Sequence, residues 1–122
     1  MASDIRDEAN TYKQRRRVPR FPFIAGAEIS ETNSETKLSA RVRELSLHGC
    51  YIDMLNRLPR GTDVVVKIFT ETEFFESHAS VIHCQPNFGM GLAFRDVKPY
   101  FLQTLHGWLL KALKEAERVG KD

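Results

Sequence analysis

Two short polar motifs contain the residue types best suited to bind a small, multiply charged anion. The first is Arg16-Arg17-Val18-Pro19-Arg20, in which Arg16 and Arg20 lie four positions apart with three residues between them. Pro19 disfavours a helix, and in an extended chain residues four apart point the same way, about 13 Å from each other. A guanidinium group pairs with a phosphate or with the O6 and N7 edge of guanine, and it also stacks on a purine. Arg16 and Arg20 can therefore bind one ligand of dinucleotide size.

The second motif is Glu44-Leu45-Ser46-Leu47-His48-Gly49, which lies between two predicted strands. Gly49 is expected to supply the unusual backbone angles of a tight turn, with the hydroxyl of Ser46 beside it. The carboxylate of Glu44 can accept hydrogen bonds from the N1 and N2 hydrogens of guanine. Taken alone this motif is an ordinary turn, and it gains meaning only together with the upstream arginines.

The distribution of charge is more informative than its sum. The formal net charge is only +2, but a stretch without acidic residues between Asn10 and Ile24 contains Lys13, Arg15, Arg16, Arg17 and Arg20. One basic cluster on a nearly neutral chain favours a small anionic ligand or a limited phosphate contact over the coating of a nucleic acid. A solvated basic linker or a membrane-surface patch is the alternative interpretation.

The elements that position these motifs are predicted to be mainly strands. The chain of 122 residues, with 42% hydrophobic and 28% charged residues, is sufficient for one compact domain with a real core. Strands are predicted at residues 23–30, 36–43, 50–54, 63–70, 74–83 and 89–94. Leu38, Ala40 and Val42 alternate with polar residues, as in a strand with one solvated face. The spacing favours a small antiparallel barrel over a sandwich.

The C-terminal segment changes to a helical period. Apolar residues recur there at steps of three and four, which predicts a helix over residues 98–118: Phe101, Leu105, Trp108, Leu109, Ala112, Leu113 and Ala116. The stripe is expected to dock on the barrel or on a second subunit. Residues 1–14 are predicted to be a flexible or helical N-terminal segment, and residues 15–122 the folded domain.

Other chemistry is not supported by the sequence. Cys50 and Cys84 are too few for a disulfide framework or a four-ligand zinc site, and both are predicted to fill the core. Adjacent strand residues such as His83 and Cys84 point to opposite faces, which argues against a metal site. We expect no enzyme activity and no cofactor, because no nucleophile with a base and an orienting group stands out. No apolar run suits a membrane span or a signal peptide, which predicts a cytoplasmic protein.

The pairing of the two motifs resembles the PilZ domain, whose receptors for the bacterial second messenger cyclic di-GMP carry R-x-x-x-R before the barrel and (D/N)-x-S-x-x-G between early strands. The resemblance extends from about Arg15 to the C-terminal helix. It includes Gly49-Cys50-Tyr51-Ile52, Leu58-Pro59-Arg60-Gly61-Thr62 and Phe88-Gly89-Met90-Gly91-Leu92-Ala93-Phe94. It implies a mostly β fold, a six-stranded antiparallel β-barrel with a C-terminal α-helix, and a ligand on the outside of the barrel.

The resemblance also implies roles for individual residues. Arg16 and Arg20 would hold guanine edges and phosphates, while Ser46 and Gly49 would shape the turn beside the ligand. Glu44 departs from the family pattern, which has Asp or Asn at this position. Arg15 would add a further contact, and an arginine there favours a stacked ligand pair, with either a monomer or a ligand-linked dimer.

The implied function is a cyclic di-GMP receptor that relays the signal to an unidentified downstream protein. A PilZ-fold adaptor that binds no nucleotide, as in type IV pilus members of the family, is one alternative. A receptor for a related ligand such as cyclic GMP-AMP is another, because the same arginines would serve it. A single-stranded nucleic-acid binder would stack bases on Phe21, Phe23 and Tyr51, but it needs cations along a groove. The cations are confined to one end, so neither DNA nor RNA is expected.

Overall fold

The protein folds as a closed barrel of six strands followed by one helix. The structure is a computed structural model that describes residues 19–55, 58–85 and 89–120. The elements are β1 (Phe21–Glu31), β2 (Leu38–Leu45), β3 (Gly49–Asp53), β4 (Asp63–Phe69), β5 (Phe74–Gln85), β6 (Gly89–Arg95) and α1 (Pro99–Gly120). The strands follow the order β1-β2-β3-β6-β5-β4 around the barrel, and all neighbours are antiparallel. This confirms the predicted mostly β fold.

The interior of the barrel is packed with apolar side chains. Alternate residues of the strands point inward and are fully buried, among them Ile29, Val42, Ile52, Val66 and Leu92. The predicted alternation in β2 is confirmed, because Val42 is buried while Arg41 and Arg43 are exposed. Since side chains fill the barrel, a ligand has to bind on its outer face or at its rim.

The helix α1 closes one end of the barrel, which confirms the predicted docking. Leu105 and Trp108 are buried against the core. The Trp108 ring lies 5.2 Å from that of Phe23 near the start of β1, and its indole N–H donates to Glu73 Oε1 at 2.9 Å. Glu73 belongs to the β4–β5 turn, residues 70–73. The helix therefore lies at the barrel end where β1 begins and where the β2–β3 turn (residues 46–48) and the β4–β5 turn are found.

Four strands, β1, β2, β3 and β6, extend further toward this end than the sequence pattern predicts, whereas β4 ends one residue earlier, at Phe69. β2 spans Leu38–Leu45 instead of 36–43, because Leu45 pairs with Phe21 of β1 and with Cys50 of β3. A bulge at Arg43 adds one residue to β2, which hides the alternation on which the prediction rests. Pro22 is tolerated in β1 because pairing with β4 begins only at Gly26.

Cys50 faces the core as predicted, and Cys84 is half-buried with its thiol donating to the carbonyl of Leu58 at 3.2 Å. Burial raises the pKa of the Cys50 thiol from 9.0 to about 12. The folded state therefore keeps this thiol protonated at a pH at which the unfolded chain ionises it.

This difference predicts a loss of stability in alkaline solution. Above pH 9 the unfolded state binds fewer protons at Cys50 than the folded state does, so the free energy of unfolding falls as the pH rises from 9 toward about 12. The slope contributed by one such group is about 1.4 kcal/mol per pH unit. Urea denaturation at pH 8 and at about pH 10.5 measures how far the free energy of unfolding falls between the two. This fall should be smaller for Cys50→Ala than for the native chain. Equal differences in the two proteins would contradict the assignment.

Candidate functional site

The strand register brings Arg20, the last residue of the first motif, next to the second motif at one end of the barrel. Phe21 of β1 pairs with Leu45 of β2, and Pro22 pairs with Glu44. Arg20 directly precedes β1 and Ser46 directly follows β2, so they lie at the same end of neighbouring strands. Arg20 is exposed to solvent. The two other predicted arginines, Arg15 and Arg16, lie outside the described residues.

The β2–β3 turn is held by a compact set of hydrogen bonds centred on Ser46. The Ser46 main-chain N–H donates to the carbonyl of Gly49 at 2.8 Å, and its hydroxyl donates to the same oxygen at 3.3 Å. The hydroxyl also accepts the N–H of His48 at 3.2 Å, and the carbonyl of His48 accepts the N–H of Phe94 at 2.9 Å. Ser46 is buried, its hydrogen bonds hold the turn, and the bond to Phe94 fixes the turn to β6.

Gly49 is required for a different reason from the predicted one. The positive-φ glycines among the described residues are Gly61 and Gly89, so the expectation that Gly49 supplies unusual turn angles is wrong. Instead, a Cβ atom at Gly49 would lie 2.0 Å from the carbonyl oxygen of Leu92 on β6. The glycine allows the start of β3 to approach the β6 backbone, which brings the turn against the neighbouring strand.

Glu44 lies on the outer face of the barrel, beside this turn. It is exposed and stands between Pro22 on β1 and Tyr51 on β3. The bulge turns Arg43 outward next to it, and Arg43 pairs with Asp53 at 3.5 Å. Glu44 therefore lies on the same exposed face as Pro22, two residues after Arg20.

A row of outward-facing residues continues from Glu44 across the next strands. Tyr51 on β3 pairs with Gly91 on β6, and Gly91 pairs with His83 on β5. A Cβ atom at Gly91 would lie 3.5 Å from the Cβ of His83 and 3.9 Å from Cδ2 of Tyr51. The glycine thus forms the floor of a shallow shelf between two flat side chains, and such side chains can stack on a base. We call Tyr51, Gly91 and His83 the shelf.

Sequence reasoning missed His83 as a member of this face. His83 lies more than thirty residues after the second motif, and only the pairing of β5 with β6 brings it near. The sequence offers one weak indication, a ring-bearing side chain on each strand that flanks the Gly-Met-Gly segment of β6, where Tyr51 is half-buried and His83 is exposed.

The chemistry of the site is that of a binding surface. The guanidinium of Arg20 is able to donate to a phosphate or to a guanine edge, and the carboxylate of Glu44 is able to accept from N–H groups. Within residues 19–55, 58–85 and 89–120, no group of three or more His, Cys, Asp or Glu side chains is placed to hold a metal ion. In the same described parts of the chain, no helix has the length and hydropathy needed to cross a bilayer.

Comparisons with known proteins agree with this architecture. A family model of the PilZ domain matches residues 14–111. The PilZ domain of YcgR from Escherichia coli, solved with c-di-GMP, is 17% identical, with 88% of this chain and 98% of that chain covered and a TM-score of 0.66. The crystal structure of YcgR from Escherichia coli in complex with c-di-GMP gives 18% identity, 88% coverage of this chain and a TM-score of 0.71, and this chain spans 50% of that one.

A third similar structure is the PilZ domain of CeSA from a cellulose-synthesizing bacterium. It is 16% identical, with 80% of this chain and 98% of that chain covered and a TM-score of 0.57. No curated protein sequence matches the chain. At these low identities the structural similarity supports the fold.

Proposed function

Because the chain belongs to the PilZ domain family, we propose that it is a receptor for cyclic di-GMP that transmits the presence of this ligand to a partner protein. The observation that carries the proposal is the register of β1 with β2, which places Arg20 beside the Ser46 turn. Arg20, which ends the arginine motif, is thus a neighbour of the second motif, and the proposal extends this proximity to Arg16. Both similar YcgR structures were solved with c-di-GMP, in agreement with this ligand class.

In the proposed complex the ligand lies on the outer face of the barrel, against the β2–β3 turn. Arg20 and, four residues before it, Arg16 donate to guanine edges and phosphates. Ser46 and Gly49 hold the turn at a fixed position, so that its backbone meets the ligand without reorganisation. Arg15 adds a further contact, which favours a stacked pair of ligands over one molecule.

Glu44 is proposed to accept hydrogen bonds from the N1 and N2 hydrogens of a guanine. Its exposed position beside the start of β1 gives the longer side chain room to adjust. The shelf extends the same face, and Tyr51 and His83 offer flat surfaces for a purine on either side of Gly91. A guanine base therefore has both an edge and a face to bind.

The proposed role of the protein is signalling without catalysis. Ligand binding fixes the basic segment before β1 against the barrel, and a change in the position of this segment is what a downstream protein would detect. The same end of the barrel contains α1, since Phe23 of β1 contacts Trp108. A partner can thus contact the N-terminal segment and the helix together.

Isothermal titration calorimetry with cyclic di-GMP is the direct test of this function. We expect saturable binding, with one ligand per chain or an integer multiple of it. Sedimentation of the complex will then show whether the liganded protein is a monomer or a ligand-linked dimer. Cyclic GMP-AMP and the linear dinucleotide are the controls, because each keeps the phosphates and changes one base or the ring. If cyclic GMP-AMP binds more tightly than cyclic di-GMP, the protein is a receptor for the mixed cyclic dinucleotide instead.

Absence of heat with all three nucleotides at high micromolar concentration would contradict the receptor function. In that case Glu44→Asp, which restores a side chain that the family pattern contains, is the next variant to titrate. Binding by Glu44→Asp alone would show that one methylene group disables the site. Absence of binding by both proteins would favour the adaptor function.

A further inference from the structure

A second surface feature lies at the same barrel end, on the other side of β1. It is a groove of about 420 Å³ on the outer face of β1 and β4, bounded by the β4–β5 turn. Its apolar wall is formed by Phe69 and Phe74, which are 38% and 42% exposed. The polar side chains of its lining include Glu28, Glu71, Glu73 and Lys67. We call it the Phe69 groove.

The groove combines exposed aromatic rings with an excess of negative charge. The ring of Phe69 lies against Gly26, where a Cβ atom would come within 2.6 Å of it, so the glycine makes room for the ring beside β1. Lys67 Nζ lies 4.8 Å from the centroid of the Phe74 ring, which shows that a cation can contact this wall. Three glutamates against one lysine leave the groove acidic. Its chemistry suits an extended segment rich in arginine.

The position of β1 identifies such a segment within this chain. β1 begins between the two turns, with β2 paired from Phe21 on one side and β4 paired from Gly26 on the other. The β2–β3 turn lies beside Phe21, and the β4–β5 turn lies near Phe23, because Trp108 contacts the Phe23 ring and donates to Glu73. The residues before this point include Lys13, Arg15, Arg16 and Arg17, with no acidic residue after Asn10. An extended chain from Pro19 back to Arg15 reaches up to about 14 Å.

We propose that, in the ligand-free protein, the basic segment of residues 13–17 docks in the Phe69 groove of its own chain. Arginine side chains then pair with the groove glutamates and stack on the exposed part of the Phe69 ring. The docking stands on the groove and on the charge of the segment. Displacement of the basic segment by cyclic di-GMP rests on the proposed function, since the ligand and the groove then compete for the same arginines.

The competition has a consequence for affinity. When a ligand binds only the undocked state, its apparent association constant equals the intrinsic constant multiplied by the fraction of molecules that are undocked. Weakening the groove should therefore tighten cyclic di-GMP binding, although the groove lies on the opposite side of β1 from the β2–β3 turn. Glu71→Lys is expected to lower the dissociation constant several-fold, whereas Glu35→Lys, in the turn at the other end of β1, should leave it unchanged.

Paramagnetic relaxation in the full-length protein tests the docking without any ligand. A nitroxide is attached to Gln14→Cys in a Cys84→Ser background, where the remaining Cys50 is buried and keeps its proton. We expect selective broadening of the amide signals of Thr72, Glu73 and Phe74, which Glu71→Lys relieves and Glu35→Lys does not. Broadening at the β2–β3 turn instead, or at neither turn, would overturn the docking.

Two further measurements separate the possible failures. If a mixture of spin-labelled unenriched chains and unlabelled ¹⁵N-enriched chains shows the same broadening, the segment docks on a second copy and the proposal is wrong. With cyclic di-GMP added, we expect the broadening to move from Glu73 to His48 in the β2–β3 turn. If calorimetry shows no ligand binding while the ligand-free broadening persists, the receptor function fails and the docking stands.

Discussion

Arg20→Ala is expected to remove most of the affinity for cyclic di-GMP while leaving the folded barrel intact. Arg20 is exposed and lies next to the Ser46 turn, because Phe21 pairs with Leu45. Truncating a charged group that bonds a desolvated anion costs about 2–5 kcal/mol, which corresponds to a loss of roughly 30-fold to several thousand-fold in affinity. The thermal midpoint should change little, since an exposed side chain contributes little to stability.

The matched control is Arg60→Ala. Arg60 is also an exposed arginine in a polar loop, but it lies between β3 and β4, at the opposite end of the barrel. Both variants lower the net charge by one, so any long-range attraction of the anionic ligand is reduced equally. Calorimetry should show near-native binding for Arg60→Ala only. Equal affinities for the two variants would mean that the arginine motif does not contact the ligand.

Much of the fold could be predicted because the pattern is local. The alternation of Leu38, Ala40 and Val42 marks a strand with one buried face, and the period of Leu105 and Trp108 marks a helix with one buried stripe. Each depends on residues near to one another in the chain, so the six strands and the helix follow from periodicity. The strand ends were less predictable, because the bulge at Arg43 interrupts the alternation and depends on pairing with β3.

The site was less predictable, because it depends on which strands are neighbours. The proximity of Arg20 and Ser46 requires the β1–β2 register, and the inclusion of His83 requires the β5–β6 register. Periodicity reports the face on which a residue lies but not its neighbours across the sheet. The role of Gly49 shows the same limit, since the carbonyl of Leu92 that excludes a side chain lies more than forty residues away.

Gly49→Ala is expected to destabilise the barrel and with it the ligand site. A methyl group at this position would lie 2.0 Å from the Leu92 carbonyl oxygen, which belongs to the backbone of a paired strand. Relief requires β3 and β6 to separate at the point where the bonds from Ser46 and Phe94 hold the turn. Forcing atoms into such a packed contact costs about 1–3 kcal/mol, and the lost turn bonds add to this cost. Urea denaturation should show a lower midpoint with a similar slope.

Gly107→Ala provides the control, because the same methyl group is added where nothing lies within 4 Å. Gly107 is exposed within α1, and replacing a helical glycine by alanine stabilises a helix by about 0.5–1 kcal/mol. The two variants are therefore expected to change the free energy of unfolding in opposite directions. If Gly49→Ala were as stable as the native chain, β3 would not approach β6 this closely. The close approach that brings the β2–β3 turn against β6 would then be absent.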